Sequence, residues 1–159
     1  MKIISGGQTG ADQAGLYAAR DCGLETGGYA PANYMTKDGP NYKLRDDFGL
    51  ISVLIGGYKK RTWMNVESSD CTLRFAYNFN SPGEKCTFNA IKYYEKPYDD
   101  YNLKYKISDF MINGIVEWIL RNNFQVINIA GNTQTERLDT YTPTHEILCR
   151  LFRRLKKYD

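Results

Sequence analysis

Three short segments rich in glycine, hydroxyls and amides carry the groups of this 159-residue chain that could do chemistry. The first is Ser5-Gly6-Gly7-Gln8-Thr9-Gly10-Ala11-Asp12. The second is Ser81-Pro82-Gly83-Glu84-Lys85-Cys86-Thr87, and the third is Gly131-Asn132-Thr133. Backbone N–H groups, hydroxyls and amides suit anion and sugar recognition through neutral hydrogen bonds. No segment offers a matched acid–base pair, so no catalytic residue is assigned. Between them lies Arg61-Thr62-x-x-Asn65-Val66-x-Ser68-x-Asp70. Its Arg61, Asn65 and Asp70 could bind a ligand or tie the loops together, and Arg61 could equally serve in a salt bridge.

The opening segment is the most informative. An apolar strand, Lys2-Ile3-Ile4, runs into the glycines, and the glycines open a helix. That order places bare N–H groups and a helix N-terminus at the carboxyl end of a strand, where α/β proteins hold phosphate. Thr9 is expected to cap the helix while Asp12 reaches back, as in a capping box with Asp in place of Glu. The spacing matches neither a Walker loop nor the dinucleotide fingerprint.

The elements that must position these loops alternate between strand and helix. Ala11, Ala14, Gly15, Ala18, Ala19 and Cys22 give a first helix a face of small residues for close packing on a sheet. Gly27 to Pro31 reads as a short strand, 33–47 as polar and irregular with a turn at Asp38-Gly39-Pro40, and 50–55 as apolar without a clear place. A helix follows over 61–69, a strand over 71–76 and a helix over 84–94. Ser108 caps a broadly apolar helix to Arg121. A buried strand spans 124–130, and Thr142-Pro143 starts the last helix. The five tyrosines between Tyr93 and Tyr105 read as a solvated connection. Alternation of this kind predicts an α/β fold with a parallel sheet between helices, in a single domain over 1–159.

Composition narrows the classes further. No apolar run has the length of a membrane span and no leader pattern precedes the first strand, so a cytoplasmic protein with no membrane partner is expected. Arg150, Arg153, Arg154, Lys156 and Lys157 crowd the last helix, but no groove-reading motif accompanies them, and nucleic acid is not the expected partner. The four cysteines are far apart with no Cys-x-x-Cys pair, so free thiols and no metal site are expected. His145, the only histidine, reads as a surface residue. The breadth of the 108–121 helix predicts a homo-oligomer, a dimer or tetramer.

These segments together resemble the molybdenum-carrier family, within the Rossmann-like proteins that include the Lonely-guy phosphoribohydrolases. The matching residues are 5–12, Thr26-Gly27-Gly28-Tyr29-Ala30-Pro31, Asp38-Gly39-Pro40, the Arg61 to Asp70 block, Ser81 through Thr87, and Asn128-x-Ala130-Gly131. The resemblance implies a Rossmann-like domain and a phosphorylated ligand; the family name implies molybdenum cofactor, a phosphorylated pterin. It also implies a test of activity. Lonely-guy enzymes resemble Pro-Gly-Gly-x-Gly-Thr-x-x-Glu, whose last Glu is catalytic; aligned on Pro82, Gly83 and Thr87, this chain has Glu84 and Cys86 for two glycines and Ala90 for that Glu.

The expected function is therefore binding, without turnover, of a phosphate-bearing, nucleotide-like small molecule. That molecule is molybdenum cofactor, or an ADP-ribose-type or cyclic nucleotide signal that the protein carries or sequesters. No cofactor is required. The alternative is an enzyme cleaving a nucleotide N-glycosidic or phosphoester bond. The expected ligand residues are Ser5, Gly6, Gly7, Gln8, Thr9, Gly10, Asp12, Arg61, Asn65, Ser81, Pro82, Gly83, Glu84, Thr87, Gly131 and Asn132.

Overall fold

The computed structural model describes residues 1–158. Strand β1 (Lys2–Ser5) leads into α1 (Ala11–Asp21), then β2 (Glu25–Gly27) and β3 (Tyr29–Pro31). A hairpin of β4 (Met35–Thr36) and β5 (Gly39–Pro40), a turn of helix α2 (Lys43–Asp46) and β6 (Ile51–Val53) follow. The second half holds α3 (Gly57–Glu67), β7 (Cys71–Ala76), α4 (Pro82–Tyr94), β8 (Tyr98–Asn102), α5 (Asp109–Arg121), β9 (Val126–Gly131) and α6 (Tyr141–Leu155).

Five strands form one parallel sheet in the order β2-β1-β9-β7-β8. Side chains alternate across it, as the two-residue period of a strand requires. On β7, Cys71, Leu73 and Phe75 enter the main core with Ile3, Ile127 and Ile129, under α1, α5 and α6. Thr72 and Arg74 turn to the opposite face, where Asn128 Nδ2 donates to Thr72 Oγ1 at 3.2 Å. Over that face α3 and α4 pack together through Val66, Ala90 and Ile91. The expected α/β fold, with helices on both sides of a parallel sheet, is what the chain adopts.

Several elements depart from the sequence reading. Residues 27–31 are not one strand: β2 ends at Gly27 on the main sheet, and β3 pairs instead with β6. That pairing gives the unplaced apolar stretch 50–55 its role. The region 33–47 is more ordered than expected, and its tight turn falls at Lys37-Asp38 between β4 and β5 rather than at Asp38-Gly39-Pro40. Helix α3 begins at Gly57, four residues early. The tyrosine-rich connection contains the edge strand β8, with Tyr101 buried against Phe75.

Arg74 anchors that edge. Its guanidinium, wholly inside, makes two bonds to the Asp100 carboxylate, at 2.7 and 2.6 Å, and a third to the Glu84 carbonyl at 3.1 Å. A paired, fully bonded charge is how a sheet face tolerates an arginine.

Ser108 caps α5 as expected, its Oγ accepting from the Met111 N–H at 3.2 Å. Ile112, Ile115, Val116 and Ile119 account for part of that helix's apolar breadth by entering the protein's own core. Phe110, Met111 and Leu120 remain exposed, Phe110 at 87%. Helix α6 starts at Tyr141, with Asp139 rather than Thr142 serving its first turn by accepting from the Thr142 N–H at 3.0 Å. Two of its arginines, Arg150 and Arg154, converge on Asp109 at 2.7 and 2.8 Å, so part of the basic run is neutralised within the fold. Among the described residues no helix is long and apolar enough to cross a membrane.

Candidate functional site

The carboxyl ends of β1, β7 and β9 open onto one cavity of about 670 Å³. That is the size range of small-molecule and cofactor sites. The loop after β1 supplies Gly6 and Gln8, and the first turn of α1 supplies Asp12. Helix α3 supplies Arg61 and Asn65, and the start of α4 supplies Ser81, Pro82, Gly83, Glu84 and Thr87. The last residue of β9, Gly131, and the loop after it, with Asn132, complete the wall. Residues from all three chemistry-bearing segments thus face one space.

Four of the expected ligand residues lie elsewhere, for reasons the packing makes plain. Ser5 is fully buried behind the loop; its Oγ donates to the Asp12 carbonyl at 2.9 Å and accepts from the Gly7 N–H at 3.3 Å. Gly7, at φ +76°, faces the small second core, where a Cβ would press on Leu44 Cδ1 at 2.7 Å. Gly10, at φ +94°, lets the loop lie against the 132–134 backbone; a Cβ there would stand 2.6 Å from the Gln134 nitrogen. Thr9 sits with Gly10 beside a separate, shallower recess. It does not cap α1: Gly10 is the N-cap, without a side-chain bond, and the Thr9 hydroxyl has no protein partner.

Asp12 has taken a different place from the expected cap. Its carboxylate folds into the glycine loop, Oδ2 accepting from the Gln8 N–H at 3.2 Å and from Arg61 Nη1 at 3.3 Å. The loop therefore already surrounds an anion, and that anion belongs to the chain. Burial raises the Asp12 carboxyl above the ordinary carboxylate range, outweighing the Arg61 charge that lowers it.

Other polar side chains on the wall are spent on holding the loops. Asn65 makes a reciprocal pair with the Tyr29 backbone, at 2.8 and 2.9 Å. Asn132 Oδ1 accepts from the N–H groups of Tyr77 and Asn78, and its Nδ2 donates to the Asn78 carbonyl and to Glu84 Oε2 at 3.3 Å. Ser81 Oγ accepts from the Glu84 N–H, with Pro82 at the first helical position. Gln8 Oε1 accepts from the N–H groups of Thr9 and Lys37, both at 2.9 Å. Thr87 Oγ1 donates to the Gly83 carbonyl. Asp70 lies at the far end of the sheet, accepting from Gln125 and Val126, and belongs to the fold.

Three residues of the cavity wall each carry a buried polar atom with no partner within the protein: Arg61 Nε, Glu84 Oε1 and the Thr140 hydroxyl. Each unsatisfied buried group costs about 1–3 kcal/mol. Glu84 is 3% exposed, and burial with the nearby Asp12 charge pushes its carboxyl up to about 7. Two buried carboxyls and a guanidinium therefore meet here, a pairing that the three segments read separately did not reveal. Thr140 also escaped notice, since nothing in its surroundings marks it; Tyr58 and Lys59 join the wall because α3 starts early.

Ala90 is the residue that the Lonely-guy resemblance sets against that family's catalytic Glu. It is fully buried beside Val66 and Ile91, off the cavity wall.

The family model of the circularly permutated YpsA SLOG proteins matches residues 3–152. Among solved structures, the chain resembles the crystal structure of a candidate molybdenum carrier protein from Syntrophus aciditrophicus. The TM-score is 0.83 at 31% sequence identity, over 95% of this chain and 93% of that one. No curated protein matches.

Proposed function

The chain belongs to the circularly permutated YpsA SLOG family, and from that premise we propose that it binds a phosphate-bearing, nucleotide-like small molecule in the cavity above β1, β9 and β7. The observation that carries this reading is that three residues lining one space of nucleotide size, Arg61, Glu84 and Thr140, each carry a buried polar atom (Nε, Oε1 and the hydroxyl) without a protein partner. A ligand with charged oxygens and hydroxyls satisfies a guanidinium, a carboxyl and a hydroxyl together. Arg61 is the anchor for phosphate, and Lys59 adds a second cation on the wall. The opening loop, filled by Asp12, positions Arg61 rather than cradling the phosphate itself.

The ligand is an ADP-ribose-type or cyclic nucleotide signal, or molybdenum cofactor, a choice supported by the likeness to the candidate Syntrophus molybdenum carrier. The protein holds it without turnover, since Ala90 leaves no carboxyl at the position that the Lonely-guy resemblance makes catalytic; no resident cofactor takes part. We place it in the cytoplasm as a homo-oligomer joined through the exposed Phe110, Met111 and Leu120 of α5. Light scattering at micromolar concentration is expected to report a dimer or tetramer, and a monomer mass would remove that part of the reading.

A second reading rests on Glu84. A carboxyl titrating near 7 is part protonated at neutral pH and suits a general acid for N-glycosidic or phosphoester cleavage. One experiment separates the two. Stoichiometric protein is incubated with nucleoside monophosphates, ADP-ribose and cyclic nucleotides, denatured, and the released species are chromatographed. Intact recovery of a retained nucleotide is the expected result. Multiple turnovers that disappear in Glu84→Gln would establish the enzyme instead.

A further inference from the structure

On the face of the sheet away from Arg61 and the cavity, α1 and α6 bring together three side chains that the binding site does not use. We propose that Asp21, His145 and Cys149 form a site for a divalent transition-metal ion of the zinc class, with solvent completing its coordination. His145 and Cys149 are four residues apart on α6, a spacing that puts two ligands on one helix face. Asp21 closes α1 opposite them. His145 Nε2 lies 2.9 Å from Asp21 Oδ2 and 3.7 Å from Cys149 Sγ, and the three ligating atoms are all within 4.8 Å of one another.

These separations are close to what a metal needs. With Zn–S near 2.3 Å and Zn–N or Zn–O near 2.0–2.2 Å, tetrahedral ligand atoms stand about 3.3–3.6 Å apart. Insertion therefore asks the Asp21–His145 pair to open by about half an ångström, and the Cys149 sulfur, within 4.8 Å of the Asp21 carboxylate, to move up to about an ångström toward it. Tyr141 stacks on the His145 ring, with centroids 5.6 Å apart and planes 13° from parallel, which holds the imidazole in place. Cys22 follows Asp21 and leaves its sulfur 4.0 Å from the Cys149 carbonyl, beside the site.

An Asp–His pair alone is an ordinary surface contact. The third group makes the difference: a buried thiol turned toward the same imidazole is a soft ligand that an ion pair has no use for. Among the described residues no other trio of His, Cys, Asp or Glu side chains converges in this way. On binding, the proton between His145 Nε2 and Asp21 passes to Nδ1 or to solvent, freeing Nε2 and the carboxylate for two metal bonds, and the Cys149 thiol releases its proton to solvent as the thiolate takes the third.

Cobalt is the probe. Full-length protein, stripped with a chelator and kept reduced with a phosphine, is titrated with Co²⁺. One equivalent is expected to give visible d–d absorption with a near-ultraviolet thiolate-to-cobalt band, both displaced by Zn²⁺. His145→Gln and Asp21→Asn change partly exposed side chains and leave the fold intact. Each should weaken binding at least tenfold, since loss of even an outer-shell partner costs about 10–100-fold. Cys149→Ser should remove the thiolate band. Binding without that band, unchanged affinity in folded His145→Gln, or loss of the band in Cys22→Ser rather than Cys149→Ser would overturn the site.

Discussion

Replacing Arg61 with methionine should weaken binding of ADP-ribose, or of whichever nucleotide probe the protein retains, by about a hundredfold. It should also destabilise the fold by about 3–5 kcal/mol, the usual cost of removing one partner from a buried ion pair. The two effects have different origins. Arg61 is 8% exposed, and its Nη1 is 3.3 Å from Asp12 Oδ2, so methionine leaves that carboxylate inside the loop without its counter-charge. Its Nε is buried without a protein partner and the residue lines the cavity, so the guanidinium keeps hydrogen-bonding capacity for a ligand. A charge-assisted hydrogen bond contributes about 1.5–3 kcal/mol, which sets the scale of the affinity loss. Asp12→Asn in the same chain removes the stranded charge and should recover much of the stability, measured by urea unfolding, while calorimetry still finds weak binding. A folded double variant with native affinity would show that Arg61 serves the fold alone.

Glu84→Gln should remove most of the protein's loss of stability at rising pH. A carboxyl that titrates at 4.5 when unfolded and near 7 when folded favours the native state while it is protonated. Its contribution is complete below pH 4.5 and is lost as pH rises through 7, a change worth about 3 kcal/mol. Asp12, also raised, acts in the same direction. Glutamine keeps the shape and still accepts from Asn132, but it has nothing to titrate. Urea unfolding at pH 5 and pH 8 should therefore find the natural protein clearly weaker at pH 8 and the variant nearly level, and more stable there. Equal slopes for the two proteins would mean that Glu84 is solvated in solution and ionises normally.

The architecture was legible because it depends on patterns that repeat: strands and helices alternate, small residues line α1, and glycines follow the strands. Irregular pieces were not. The edge strand β8 reads as a loop because Tyr98-Asp99-Asp100-Tyr101 is polar, and nothing local announces that Asp100 will neutralise a buried Arg74. At the site, residue types were visible and their partners were not. Asn65 and Asn132 look like free amides in the sequence, yet each is bonded to backbone groups 36 or more positions away. Local spacing assigns Asp12 to the nearest helix end, whereas Arg61, 49 residues on, decides where it sits. Asp21 and His145 are 124 residues apart, beyond any spacing rule for metal ligands.

The position of β9 has a consequence for how the chain reaches this state. It lies between β1 and β7, so the amino-terminal unit β1-α1-β2 and the later pair β7-β8 have no direct strand contact with each other. During synthesis both units emerge before residue 126, each with an open parallel edge. Such edges invite pairing with other chains, and contacts between distant segments form slowly because the intervening loop must close first. Assembly of the sheet therefore waits for one late strand of six residues, Val126–Gly131. The same strand then delivers Gly131 and Asn132 to the cavity, so the binding site and the completed sheet come into being in a single step.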